Sequence, residues 1–226
     1  MKKASLILIP FRNNVNFKQV VNQIINKTNS TLSDLELVVV DNNTDASLKK
    51  DICLFLELFK DKITIKYFEN NNHLQLAGAT NKAIDLCDSK YFIYLCSNDT
   101  FIYNNDWINS ITNELSDEDY NQGYRLGGTI APWPNFLKDP KLHVHAQGGV
   151  FLSFTEYMKK NKYPVSHPFS FCDVMHSANC LKQGFKIKQI NSLFSSMGTV
   201  TPSFHQENIK TNKYYITHLH GNSKLI

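Results

Sequence analysis

The sequence predicts an α/β protein with a mostly parallel central sheet and helices on both of its faces. Three observations lead there. Apolar runs of strand length alternate with stretches whose apolar residues recur at helical spacing. Four such strands and three such helices alternate within the first 100 residues, the order that crossover helices between parallel strands produce. Polar clusters close three of the strands, and sheets of this kind bind ligands beyond the carboxyl ends of their strands.

Residues 5–9 are a continuous apolar run closed by Pro10, read as a buried strand. Phe17, Val20, Val21, Ile24 and Ile25 then recur at helical spacing. Residues 35–40 form a second buried strand, ending in Asp41-Asn42-Asn43-Thr44-Asp45. Leu48, Ile52, Phe55, Leu56 and Phe59 define a second helix. Residues 63–68 alternate as a third strand, and Leu76, Ala79, Ala83, Ile84 and Cys87 mark a third helix. The fourth strand, 91–96, stops at Ser97-Asn98-Asp99-Thr100. Beyond it, 125–130 and 149–153 read as strands joined by a segment containing Pro and His. Residues 171–183 read as a helix with Val174, Ala178 and Leu181 on one face and Gly184 as its stop. Residues 185–190 follow as a strand, 191–211 as a mobile loop, and 214–217 as a last short strand before His218-Leu219-His220-Gly221.

Composition narrows the function. The 226 residues are 42% hydrophobic and 12% aromatic, enough for a buried core without staples, so global disorder is excluded. Only 19% are charged, and 25 asparagines supply much of the remaining polarity. The net charge of +4 comes from scattered lysines, whereas nucleic-acid binding calls for a basic face. No apolar run reaches the length of a transmembrane helix, and the N-terminal one is too short and too soon followed by Arg12 for a signal peptide. The five cysteines are widely spaced with no C-x-x-C pair, so neither a zinc ribbon nor a disulfide framework is indicated. The expected setting is the reducing cytoplasm, which leaves room for peripheral docking on a membrane. No composition break or internal repeat divides the chain, so one domain over 1–226 is expected.

Five groups of residues can carry chemistry. Asp99, just past a buried strand, can hold Mg²⁺ or Mn²⁺ through one oxygen, and it can equally be a turn former. Residues 41–45 can pair with a base edge or ribose hydroxyls, and Thr44 or Asp45 can also cap the next helix. Ala77-Gly78-Ala79-Thr80-Asn81 opens a helix with small side chains that admit a ligand or a tightly packed strand. Asp173 at a helix start can accept a proton, or simply complement the helix dipole. His218 and His220 alternate on an extended segment, so one of them, not both, can ligate an ion unless the chain bends. His143 and His145 pose the same question with less context.

Taken in order, these pieces resemble the family 2 glycosyltransferases, which have the GT-A (Rossmann-like) fold. Leu6-Ile7-Leu8-Ile9-Pro10 followed by Asn13 resembles the family's opening strand and nucleotide loop. Val39-Val40-Asp41-Asn42-Asn43-Thr44-Asp45 is similar to its second-strand motif, and residues 76–83 to the helix after the third strand. Leu95-Cys96-Ser97-Asn98-Asp99-Thr100 resembles the metal-binding D-x-D segment, with Ser97 in place of the first acid. Phe171-Cys172-Asp173-Val174, placed before Gly184-Phe185-Lys186-Ile187, resembles the E-D motif, with Cys172 in place of its first acid. His218-x-x-Gly221-x-Ser223 is similar to the late H-x-x-G-x-S segment.

The resemblance implies an inverting transfer from a UDP- or dTDP-linked sugar to a hydroxyl of an oligosaccharide or other glycan, as in polysaccharide biosynthesis. It implies Asp173 as general base, and Asp99 with His218 as ligands of Mn²⁺ or Mg²⁺. Pro10, Phe11, Arg12, Asp41, Asn42, Asn81, Asn98 and Asp99 would bind the nucleotide-sugar, within a donor half spanning 1–103. Gly148, Gly149 and Trp133 would line the acceptor side, in 104–226. Two other readings compete. A nucleotidyltransferase would carry a glycine-rich basic loop after the first strand, which Phe11-Arg12-Asn13-Asn14 is not. A non-catalytic module that binds a glycan or a partner on the same fold would explain Ser97 and Cys172.

Overall fold

The computed structural model describes residues 3–10, 14–28, 32–42, 44–70, 74–96, 100–132, 142–165, 172–196, 207, 210–211 and 213–219. Strands β1 (Ala4–Leu8), β2 (Leu35–Asn42), β3 (Thr64–Asn70) and β4 (Tyr91–Leu95) alternate with helices α1 (Asn14–Asn26), α2 (Ala46–Glu57) and α3 (Gln75–Leu86). Next come β5 (Thr100–Ile102), α4 (Trp107–Asn113), α5 (Asp117–Asn121), β6 (Tyr124–Pro132), β7 (Val144–Phe154) and α6 (Thr155–Lys160). Helix α7 (Cys172–Lys182) precedes β8 (Lys186–Gln189), β9 (Leu193–Ser196) and β10 (Ile216–Leu219).

The main sheet has the order β3-β2-β1-β4-β7-β6-β8. Its pairings β3–β2, β2–β1, β1–β4 and β6–β8 are parallel, while β4–β7 and β7–β6 are antiparallel. Burial explains the sequence patterns. All residues of β1, β2 and β4 are buried, so these strands are apolar runs, whereas edge strand β3 is partly exposed and alternates. Right-handed crossovers put α1 and α2 on one face of the sheet, where they pack together, and α3 on the other, where it meets α6. At the amino end of the sheet the buried Glu36 carboxylate accepts from Ser5 and from the Asp88 N–H (2.7 Å) and pairs with Lys66 (2.7 Å). A charge so deep is tolerable only with such partners.

One sequence expectation is corrected here. The stretch read as a loop, 191–211, contains β9, which pairs in parallel with β10 in a second sheet, β5-β10-β9. Four residues are too few for a periodic signal, and the partner lies about twenty residues downstream. Strand β7 is also longer than the expected 149–153. Among the described residues no helix is long and apolar enough to cross a membrane.

Candidate active site

The chain steps from β1 to β2 to β3 in one direction, then places β4 on the other side of β1. The crevice at the carboxyl ends of β1 and β4 is therefore the switch point where such sheets bind ligands. Buried Pro10 closes β1 at this crevice. Phe11, Arg12, Asn98 and Asp99 lie outside the described residues, as does Trp133. The antiparallel pairing of β5 with β10 sets the backbone of His218 opposite that of Thr100.

At the end of β2, Asp41 is fully buried, as expected for a carboxylate with donors on both oxygens. Its Oδ1 accepts the Thr44 N–H at 2.9 Å and its Oδ2 the Tyr67 hydroxyl at 3.1 Å. Burial, reinforced by the Asp41 charge, pushes the Tyr67 phenol up and keeps it a proton donor. Asn42 clasps the start of α3. Its Oδ1 accepts the Leu74 N–H (2.8 Å) and its Nδ2 donates to the Gln75 carbonyl (3.2 Å). Gln75 takes a left-handed backbone conformation, φ +58°. Asp45 caps α2 by accepting the N–H groups of Ser47 and Leu48, so the capping role foreseen for this cluster coexists with its place at the strand end.

Asp173 stands in the first turn of α7 and reaches a bulge in β7. Between the pairs Gly128↔Phe151 and Ile130↔Ala146, two steps along β6 face five along β7. The extra residues lose their partners in β6, and α7 supplies contacts at the bulge and beside it. Asp173 Oδ2 accepts the Gly148 N–H at 3.0 Å, and Ser177 Oγ accepts the Ala146 N–H at 3.1 Å. A side chain on residue 148 would meet Asp173: a Cβ there would lie 2.9 Å from its Cβ and 3.0 Å from its Oδ2. Only glycine admits the carboxylate so close. His145, in the same strand, feels the Asp173 charge. Burial holds its pKa below the ordinary histidine value, the carboxylate pulls it upward, and a hydrogen bond to the Pro132 backbone does the same.

Asn81 faces another partner. Its Nδ2 donates to the Tyr163 carbonyl (3.0 Å) and its Oδ1 accepts the Tyr163 N–H (2.8 Å). The Tyr163 ring stacks on His176 of α7, with centroids 4.4 Å apart and planes at 8°. His176 is 2% exposed and neither ring nitrogen has a hydrogen bond among the described residues, so burial pushes its pKa down to about 4.

The fold thus brings Asp173 and Gly148 into contact and joins Asp41 and Asn42 at one strand end. Gly149 carries on the bulge, its carbonyl taking the Cys96 N–H at 2.9 Å. The amide of Asn81 is engaged with Tyr163. Sequence reasoning passed over Tyr67, Gln75 and His176 and left His145 open. Only His145 had a visible signal, its place in an extended segment two residues from His143. Among the described residues no group of three or more His, Cys, Asp and Glu side chains is arranged to hold a metal ion.

Comparison with known proteins follows the same lines. The sequence model described as "Glycosyl transferase family 2" matches residues 6–175. By sequence, no curated protein matches the chain. By structure, the chain is similar to the mannosyltransferase PcManGT from Pyrobaculum calidifontis in complex with GDP-Man and Mn²⁺, with a TM-score of 0.65, 13% identity, and coverage of 83% of this chain and 54% of that one. It is similar to TarS of S. aureus, with a TM-score of 0.63, 14% identity, and coverage of 96% and 36%. It is also similar to GalNAc-T7 with UDP, GalNAc and Mn²⁺, with a TM-score of 0.65, 15% identity, and coverage of 83% and 41%. At such identities the likeness concerns the fold, the GT-A arrangement. The chain spans between about a third and just over half of the length of these neighbours.

Proposed function

Because the chain belongs to glycosyl transferase family 2, we propose that it moves a sugar from a nucleoside-diphosphate donor, UDP- or dTDP-linked, to a hydroxyl of a glycan acceptor with inversion. Residues 1–103 hold the donor and 104–226 the acceptor. The observation that carries this reading is the seat of Asp173. Its Oδ2 is fixed by the Gly148 N–H at the β7 bulge, while Oδ1 has no hydrogen bond among the described residues. A carboxylate anchored through one oxygen is held in place to take a proton from a hydroxyl, once that hydroxyl comes within about 3 Å.

In this mechanism Asp173 takes the acceptor proton as the acceptor oxygen bonds to the anomeric carbon. The bond from that carbon to the diphosphate breaks, and its electron pair leaves with the nucleoside diphosphate. The anomeric centre passes through an oxocarbenium-like state, as in glycoside hydrolysis. The strand ends after β1 and β2, with Pro10, Asp41 and Asn42, hold the nucleoside side. A divalent ion would be held by Asp99 with His218, a carboxylate and imidazole donor set that suits Mn²⁺. When bound, it neutralises charge growing on the leaving diphosphate. The Mn²⁺ and nucleotides named with PcManGT and GalNAc-T7 support this assignment. A cytoplasmic setting, with docking at the periphery of a membrane, is part of this reading.

The first experiment is thermal stability with UDP, dTDP, GDP and CDP, each with Mn²⁺ or with EDTA. A nucleotide at about a hundredfold over its Kd adds roughly 2.7 kcal/mol. For a domain of this size that is a rise of several degrees in Tm. A Mn²⁺-dependent rise with one nucleotide is expected, and no rise with any would move the assignment to a non-catalytic binding module. In Asp173→Asn, nucleotide binding should persist while transfer falls by at least about 100-fold. Unchanged transfer in that variant would remove Asp173 as the base.

A further inference from the structure

We propose that Gln75 determines donor specificity, its carboxamide reading the polar edge of the nucleotide base beside the Thr44 hydroxyl. The inference rests on the nucleotide-sugar reading above. Gln75 carries two anomalies at once. It is the one non-glycine residue with positive φ among the described residues, a conformation in which a side chain is strained and glycine is not. Its Oε1 is also buried with no hydrogen-bond partner among the described residues. Strain and an orphaned acceptor each cost stability, and their coincidence at one residue points to a task outside the folded core.

Its place says what that task is. The Asn42 clasp ties the backbone of Leu74 and Gln75 to the last residue of β2, at the carboxyl ends where the donor is expected. Thr44, 9% exposed, stands at the same strand end, with its N–H on Asp41 and its Oγ1 buried and likewise unpartnered among the described residues. Leu74, the chain neighbour of Gln75, is 37% exposed and adds apolar surface at the start of α3. A flat ligand with a polar edge fits that combination. A carboxamide offers an acceptor and a donor side by side, the complement of the adjacent N–H and C=O groups on a nucleotide base.

The test is calorimetric titration of the full chain and of its Gln75→Gly and Gln75→Ala variants with UDP, CDP and GDP in the presence of Mn²⁺. The unaltered protein should prefer one base. Both variants should lose about tenfold in affinity for that nucleotide, the worth of one good hydrogen bond, and change by less than about twofold for the others. Gln75→Gly should meanwhile hold or raise Tm, because glycine is at ease at this φ, which separates lost recognition from lost folding. Unchanged affinity for the preferred nucleotide would overturn the proposal and leave the transferase reading standing. An equal loss for all three would also overturn it, placing the contact on ribose or diphosphate. Binding of no nucleotide by the unaltered protein would overturn both readings.

Discussion

A single missing side chain governs the proposed base. Gly148 donates its N–H to Asp173 and leaves the space that the carboxylate fills. Gly148→Ala forces either α7 or the β7 bulge to move, since its Cβ would sit 2.9 Å from that of Asp173. Displacements near 1 Å at a reacting group can cost about 100-fold in rate. Transfer by Gly148→Ala is therefore expected to fall by about that factor, with nucleotide affinity retained. A steady-state kcat measured beside a nucleotide Kd checks this, and a variant as active as the parent would show that the base position tolerates the shift. The sequence marks Asp173 as an acid at a helix start, and only the resemblance to the E-D motif gives it the role of base. Its contact with residue 148 was not legible, since nothing local marks that glycine as the carboxylate's neighbour.

At the scale of elements, α3 links the two halves of the site. Asn42 clasps its first turn, Asn81 in its second half clamps Tyr163, and Tyr163 stacks on His176, one turn along α7 from Asp173. Asn81→Ala removes both hydrogen bonds to Tyr163 and leaves its backbone groups to find water. A stability loss of about 1–3 kcal/mol by urea titration is expected. Nucleotide affinity should hold, because the amide is occupied by Tyr163; a tenfold loss would return Asn81 to the nucleotide-binding role that the sequence predicts. Elements such as α1, α2 and β2 were readable because burial repeats along them, and β4 because its five residues are all apolar and buried. The short ones, β5, α4, α5, α6 and β9, offer too few residues for a period to emerge.

For the whole molecule, acid should be a specific stress. His176 titrates near 4 in the folded protein and near its ordinary 6.5 once unfolded. Between those values the unfolded chain binds a proton that the native one refuses. This contribution is therefore fully present above pH 6.5 and is lost as pH falls toward 4, amounting to about 3 kcal/mol. Burial of His145 acts in the same direction. Denaturant midpoints measured from pH 7 to pH 4 should decline in the parent and decline less in His176→Phe, which keeps an aromatic ring against Tyr163. Equal slopes would mean that His176 is not the group responsible.

The sequence by itself determined the order of strands and helices from β1 to β4 and set Asp41 and Asp173 near the ends of elements. That much follows from periodicity and punctuation, which act over neighbouring residues. Tertiary structure alone decided what the polar side chains meet. The contacts that define the site join residues 25, 32 and 82 positions apart: Asp173 with Gly148, Asn42 with Leu74, and Asn81 with Tyr163. The β7 bulge that admits Asp173 and the positive φ of Gln75 exist only because distant segments pair and hold them. No local preference of glutamine or of the β7 residues accounts for either, so their cause lies in packing across the sheet.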